Sequence, residues 1–139
     1  TVILGSNALL VFHPGTFAAG DLDIYAPYSS MAIVSRFLTK KRYQCTFGPH
    51  WYSTGNPSIS TVAQYAFKNK SIDVVYSNTK SAIQVVAEFH SSLVMNYVAH
   101  FGAVCLYPGP TLSKVGIMNS NRPRAIKCRE KYKERGFYF

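Results

Sequence analysis

The chain has 139 residues and carries fifteen Lys and Arg against six Asp and Glu, a formal net charge of +9. This length corresponds to one domain, and a hydrophobic content of 47% excludes an intrinsically disordered protein. No apolar run approaches the roughly 20 residues of a membrane-spanning helix, so we expect no membrane partner. The positive charge favours a polyanionic partner, either a nucleotide or a nucleic acid; the alternative is a basic surface without a dedicated partner.

In chain order, the first half of the sequence predicts alternating strands and helices. Residues 1–4 are β-branched or apolar, Gly5-Ser6 breaks the run, and a short helix follows over 8–12. Residues 21–26 alternate between polar and apolar, as a strand with one exposed face does. The other predicted elements of this half are a helix over 27–41, strands over 43–47, 61–67 and 72–76, and a loop over 48–57.

The second half is richer in helical patterns. We predict a helix over 79–90, with Ile83, Val86 and Ala87 facing inward. Residues 93–99 and 103–106 are either two strands or a helix followed by a strand. A short helix over 111–118 and a charged helix over 123–135, stopped by Gly136, complete the chain. The whole predicts one α/β (α+β) domain over 1–139, with a mixed β-sheet flanked by helices and a basic helical extension over 109–139.

The cysteines indicate the compartment. Cys45, Cys105 and Cys128 are widely spaced, odd in number and form no CxxC pair. That pattern predicts reduced thiols rather than a zinc knuckle or a disulfide framework. We therefore expect an intracellular location, cytoplasmic or nuclear. Because the first residue is not Met, one hypothesis is that the chain is a fragment of a longer protein.

Two aspartates share a predicted strand. Asp21 and Asp23 are separated by one residue, so both side chains point to the same side of the strand. Like charges on one strand face repel each other, and a bound divalent cation would remove that repulsion. The alternative is a pair of solvated acids that protects a strand edge.

Two further patterns carry candidate chemistry. Gly5-Ser6 lies between a strand and a helix, where glycine lets a phosphate approach the backbone and the helix N-terminus offers free N–H groups; the alternative is an ordinary tight turn. Asp73 interrupts an apolar strand, where an unpaired buried charge is costly. It is a candidate third metal ligand or general base; the alternative is an edge position or an exposed ion pair with Lys70.

Together these segments resemble the signature of the DNA polymerase β-like nucleotidyltransferase superfamily. The resemblance consists of the Gly5-Ser6 turn, Asp21-Leu22-Asp23-Ile24 on a strand, and Ile72-Asp73-Val74 on a later strand. Residues 89–96, 105–108 and 131–137 are also similar to segments of uncharacterised fungal nucleotidyltransferase-like proteins.

The resemblance implies a nucleotidyltransferase-like fold and a metal-dependent reaction. A nucleoside monophosphate would pass from an NTP to a hydroxyl on RNA, DNA, a protein or a small molecule, with Mg²⁺ or Mn²⁺ as cofactor. Gly5 and Ser6 would bind the nucleotide, while Asp21, Asp23 and Asp73 would be the catalytic and metal-binding residues. Two other hypotheses remain open: an inactive domain of this fold that binds nucleotide, nucleic acid or a partner through a basic surface, and an unrelated basic nucleic-acid-binding module.

Basic and aromatic segments have competing interpretations. Residues 122–135 hold seven Lys and Arg against two Glu, so this segment either contacts RNA, DNA or substrate phosphates or is a solvated helix face. Lys40-Lys41-Arg42 is interpreted as a helix C-terminus rather than a binding patch. Trp51-Tyr52 either packs in a loop or stacks on a base. His90 is interpreted as a packed histidine rather than a metal ligand.

Overall fold

The computed structural model describes residues 1–51 and 58–139, without the side chains of His50 and Trp51. It is an α/β structure with a seven-stranded mixed sheet flanked by helices, and it confirms the predicted fold class. The predicted base-stacking role of Trp51-Tyr52 lies outside the described side chains. The strands are β1 (Val2–Leu4), β2 (Leu22–Pro27), β3 (Gln44–Trp51), β4 (Ile59–Phe67), β5 (Lys70–Ser77), β6 (Asn96–Ala99) and β7 (Gly102–Cys105).

The strand order across the sheet is β3-β4-β5-β2-β1-β6-β7. Within the described residues, β2 and β5 form its one parallel pair, and the other neighbours are antiparallel. Residues 28–69, a stretch of 42, separate the two parallel strands. This pairing places side chains from distant parts of the sequence next to each other at the centre of the sheet.

Helices cover both faces of the sheet. They are α1 (Gly5–Phe12), α2 (Met31–Lys40), α3 (Pro108–Leu112) and α4 (Pro123–Glu134), with 3-10 helices at Tyr28–Ser30, Ala82–Glu88 and Ser92–Val94. Val34 and Leu38 of α2 pack on one face, against apolar residues of β2, β4 and β5. On the other face, Leu9 of α1 packs with Tyr132 of α4 and Phe137, and Val86 packs on β1 and β6. The sheet is therefore the middle of three layers.

Three predicted elements differ from the structure. The helix expected over 79–90 is a 3-10 helix, so its buried residues are Ala82, Val85 and Val86, while Ile83 and Ala87 are exposed. A period of three rather than 3.6 explains the shift. The helix expected over 111–118 is instead α3, which begins at Pro108 because proline fits the first helical turn. A loop was expected over 48–57, but β3 continues to Trp51, so residues 48–51 are strand; residues 52–57 lie outside the described residues.

The C-terminal helix forms as expected. Pro123 occupies its first turn, and Gly136 follows its end with a φ of 85°, the left-handed conformation that glycine adopts without strain. The amide of Phe137 reaches back to the carbonyl of Tyr132, which closes the last turn. In the part of the chain that the structure describes, no helix has the length and hydrophobicity to cross a membrane.

Candidate functional site

The parallel strands β2 and β5 bring two of the predicted aspartates together. Asp23 and Asp73 are direct partners in the strand register, so both side chains project from the same face of the sheet. Their neighbours Leu22 and Ile72 point to the opposite face, where they contact the apolar cluster under α2. The strand alternation thus explains why two acids occur in otherwise apolar strands: each strand buries one face and offers a carboxylate on the other.

Gly5 lies against the Asp23 carboxylate. Leu4, the last residue of β1, pairs with Asp23 across the sheet, so the chain turns into α1 directly beside that side chain. Gly5 has a φ of 69°, and a Cβ at this position would collide with Oδ2 of Asp23. Two independent requirements, the left-handed backbone and the close carboxylate, therefore call for glycine here.

The carboxylates perturb each other's protonation. Burial, together with the negative charges of Asp73 and Asp21, raises the pKa of Asp23 from 3.8 to about 6, and the positive charge of Lys131 opposes the shift. Burial and the charge of Asp21 also raise the pKa of Asp73, against a lowering by a hydrogen bond from the Gln64 side chain. Carboxylates with raised pKa values in a cleft are typical of sites that bind a cation or transfer a proton.

Asp21 is held differently from the other two. Its carboxylate accepts a hydrogen bond from Ser71 Oγ, and its backbone carbonyl accepts one of 2.9 Å from the amide of Asn7. It is exposed just before β2, and the described residues that line the cleft include Asp23 and Asp73 but not Asp21. The structure therefore brings Asp23 and Asp73 together and leaves Asp21 at the rim, although its charge still reaches both.

A cleft of about 580 Å³ opens over the paired aspartates. One wall is the sheet face with Asp23, Asp73 and Gln64, and the opposite wall is α4. The wall formed by α4 and the residues before it carries Arg122, Arg124 and Lys131. Acidic side chains of the sheet thus face basic side chains of the α4 wall across one cleft. This arrangement suits a ligand that carries both a metal ion and phosphates.

Part of the cleft lining is apolar and aromatic. These lining residues include Tyr25, Phe47, Val62, Val75 and Phe89. Glu88 also lines the cleft, and its carboxylate accepts a hydrogen bond of 2.6 Å from Ser58 Oγ. An apolar surface bordered by a few polar groups is the common composition of a small-molecule pocket.

Ser6 is tied to the C-terminal helix. Its hydroxyl lies 2.9 Å from the hydroxyl of Tyr132 and accepts a hydrogen bond of 3.0 Å from Arg135. The Arg135 guanidinium lies 4.4 Å from the centroid of the Phe17 ring and 5.2 Å from that of Tyr132, and it also donates to the carbonyl of Ala18. The predicted nucleotide-binding hydroxyl is thus already bonded within the protein, so a phosphate at this turn would meet backbone N–H groups.

His90 lines the same cleft. Burial lowers its pKa, and the positive charges of Arg124 and Lys131 lower it further. Its ring lies 6.4 Å from that of Tyr132, and its Nδ1 atom is buried with no hydrogen-bond partner among the described residues. These contacts agree with the interpretation of a packed, neutral histidine.

Sequence reasoning missed two contributors to the site. Gln64 pairs with Asp73 across β4 and β5, and a lone amide in an apolar strand was a signal that could have identified it. The tie between Ser6 and Arg135 joins residues 129 positions apart, and the sequence carries no local signal for it. Lys131 was included in the basic segment, but only the packing of α4 shows that it faces Asp23.

The aspartates fit a magnesium or manganese ion in part. Among the described residues, no three His, Cys, Asp or Glu side chains form a metal-holding group, so the set of three expected from the sequence is not preassembled. The engagement of Asp21 by Ser71 explains this difference. Mg²⁺ commonly uses one or two carboxylates together with substrate phosphates, and Asp23 with Asp73 supplies that donor set.

Comparison of the chain with protein-family models, with curated proteins and with solved structures finds no match.

Proposed function

We propose that this protein is a metal-dependent nucleotidyltransferase of the DNA polymerase β-like type. The observation that carries the proposal is the in-register pair of Asp23 and Asp73, beside a glycine turn and opposite a basic helix. The pair is enclosed enough for its pKa values to rise, yet it lines an open cleft. An NTP would place its triphosphate between the acidic and basic walls.

Different residues of the chain would bind the phosphates and hold the metal ion. The backbone N–H groups at the start of α1 would bind phosphate oxygens, and Lys131 would offset the charge of the leaving pyrophosphate. Asp23 and Asp73 would hold Mg²⁺ or Mn²⁺, and Asp21 stays a predicted ligand at the rim. A bound divalent ion supplies charge neutralisation of the phosphates and lowers the pKa of the attacking hydroxyl.

The proposed reaction forms one bond and breaks one. The oxygen of the acceptor hydroxyl bonds to the α-phosphorus, and the bond from that phosphorus to pyrophosphate breaks. The proton of the hydroxyl would pass to an Asp73 carboxylate oxygen that does not hold the ion, so Asp73 would be both a ligand and the general base. The hydrogen bond from Gln64 would orient that carboxylate, since the two residues are cross-strand partners.

The experiment measures pyrophosphate release and Mn²⁺ binding with purified protein and each of the four NTPs. Asp23→Asn and Asp73→Asn should each lower turnover by at least about 100-fold, the usual scale for a lost catalytic acid or base. Asp21→Asn should have a smaller effect on Mn²⁺ binding because that side chain lies at the rim. Glu134→Gln removes an exposed acid of α4 and should change neither quantity. Unchanged turnover in Asp23→Asn and Asp73→Asn would refute the proposal.

The second candidate is a catalytically inactive domain of the same type that binds nucleotide through its basic wall. It is favoured by the engagement of the Ser6 hydroxyl and of the Asp21 carboxylate within the protein. Calorimetric titration distinguishes the two candidates. The inactive domain should bind NTP with an affinity that depends on Lys131 and release no pyrophosphate, whereas the enzyme should do both.

A further inference from the structure

A second basic surface lies at the end of the sheet where β5 begins, separate from α4. It combines the end of α2 with the turn between β4 and β5, two segments that are distant in sequence. Tyr43, just after α2, contacts Phe67 at the end of β4, with ring centroids 5.7 Å apart. We call this surface the end patch; its cations are Arg36, Lys40, Lys41, Arg42, Lys68 and Lys70, and its aromatic residues are Phe37, Tyr43 and Phe67.

The end patch carries six positive charges, and the Asp21 carboxylate, bonded to Ser71 beside Lys70, adjoins it but lies outside it. Residues 36–43 and 67–70 contain no acid, and all six cationic side chains are exposed. The salt bridges in the described residues join Glu130 to Arg129 and Lys133, and none includes a residue of the end patch. Like charges this close repel each other, so the patch favours a polyanion that would relieve the repulsion.

Aromatic rings accompany these charges, and that of Phe37 is exposed while those of Tyr43 and Phe67 are half-buried. Phe37 is 56% exposed on the solvent side of α2, although a phenyl ring is stabilised by burial. The Lys41 ammonium lies 5.8 Å from the Phe37 ring centroid, and the Lys68 ammonium lies 5.3 Å from that of Phe67. Cations interleaved with aromatic rings provide phosphate contacts and stacking surfaces for bases at the same place.

The backbone of the end patch is also unusual. Arg42 and Lys68 have φ values of 68° and 54°, the left-handed conformation that is uncommon for residues other than glycine. Such conformations concentrate at ligand-binding sites, because the surrounding structure must hold them. Here they turn the chain at the two points where α2 and β4 end.

We propose that the end patch binds single-stranded nucleic acid. Stacking on Phe37 requires unpaired bases, which a duplex keeps within its own stack, and this favours a single strand over a double helix. The patch adjoins the candidate site, since Lys70 precedes Asp73 by three residues on β5, about 10 Å along a strand. If the proposed transferase function holds, on which this second step rests, the bound strand is the acceptor and its end passes around the sheet to Asp73.

Two double variants with equal charge loss test the binding. Lys41→Gln with Lys68→Gln removes two charges from the end patch, and Lys80→Gln with Lys114→Gln removes two charges that lie outside both the end patch and α4. The probe is a short fluorescein-labelled single-stranded RNA, followed by fluorescence anisotropy over a salt series. Loss of two phosphate contacts should weaken binding about 25-fold near 0.1 M salt and reduce the logarithmic salt slope by about 1.4. The control pair should leave both values near those of the unmodified protein.

Two single variants test the stacking. Phe37→Ala should weaken RNA binding by about tenfold without changing the salt slope, because stacking is not electrostatic. Phe101→Ala removes another phenyl ring that is 64% exposed, outside the patch, and should have no effect. Circular dichroism establishes that each variant is folded.

Several results would overturn the proposal: equal weakening by both charge pairs, no effect of Phe37→Ala, or tighter binding to the matching duplex than to the single strand. A patch whose charge variants lose phosphatidylserine vesicles but keep RNA would be a membrane surface instead. Failure of the transferase function gives a different result. RNA would then still bind at the end patch, and the charge and stacking variants would still weaken that binding. Asp23→Asn would change neither pyrophosphate release nor RNA binding.

Discussion

Replacement of Asp23 by asparagine should stabilise the protein at neutral and alkaline pH. The folded state raises the pKa of Asp23 from 3.8 to about 6, so the folded protein binds the proton more tightly than the unfolded chain does. The favourable contribution of this carboxyl is fully present below pH 3.8 and is lost as the pH rises through about 6. Above that range the ionised carboxylate costs about 3 kcal/mol of folding free energy, since each pKa unit corresponds to about 1.4 kcal/mol.

The assay is thermal unfolding across a pH series. At about pH 8, Asp23→Asn should be more stable than the unmodified protein by about 3 kcal/mol, or roughly 10 °C in Tm for a chain of this size. The gap should narrow as the pH falls from about 6 toward 3.8 and close below that, where the carboxyl is protonated in both states. Added Mn²⁺ at about pH 8 should raise the Tm of the unmodified protein and leave that of Asp23→Asn in place.

A control separates this effect from a change in net charge. Glu134→Gln removes the same charge from an exposed position on α4 and should shift Tm by no more than about 2 °C at any pH. A stability gap for Asp23→Asn that stays constant between about pH 4 and about pH 8, or that is absent at the upper end, would refute the reasoning from burial and like charges.

Two further predictions concern the surroundings of the site. Gly5→Ala should lower the free energy of unfolding by about 1–2 kcal/mol through backbone strain, and it should also weaken Mn²⁺ binding by displacing the Asp23 side chain. The control is Gly15→Ala, which has a similar φ of 73° and open space around it and should show the loss of stability alone. Equal Mn²⁺ affinity in the two variants would contradict the contact between Gly5 and Asp23. Arg135→Lys should lower the free energy of unfolding by about 1–2 kcal/mol and weaken nucleotide binding, because lysine cannot both stack on Phe17 and donate a hydrogen bond to Ser6. The control is Arg129→Lys, whose side chain pairs with Glu130 on the outer side of α4. Calorimetry should show neither a loss of stability nor a loss of nucleotide affinity for this control.

The sequence was sufficient to predict the strands that carry the site but not how they meet. Alternation over 21–26 and the apolar run over 72–76 correspond to β2 and β5 within one or two residues. The parallel pairing between them depends on contacts across about fifty residues, for which local patterns carry no signal. The position of Asp21 was missed for the same reason, because its partner Ser71 belongs to the neighbouring strand.

The sequence predicted some of the helical segments correctly and others not. The helix α4 was predictable because Pro123 and Gly136 mark its ends. The segment Ala82–Glu88 was assigned the wrong helical period, since its apolar residues fit a three-residue and a 3.6-residue repeat almost equally well. The end patch was also missed, because Lys40, Lys41 and Arg42 alone satisfy a helix terminus, and only the fold adds Lys68 and Lys70.

The parallel alignment of β2 with β5 has a consequence for folding fidelity. If β5 shifted its register by one residue, the Asp73 side chain would point into the apolar core beneath α2, and an apolar residue would take its place beside Asp23. Such a misaligned molecule would suffer an uncompensated charge in its interior and would also lack half of its acid pair. The Asp73 side chain therefore favours the native strand register and also supplies half of the candidate acid pair.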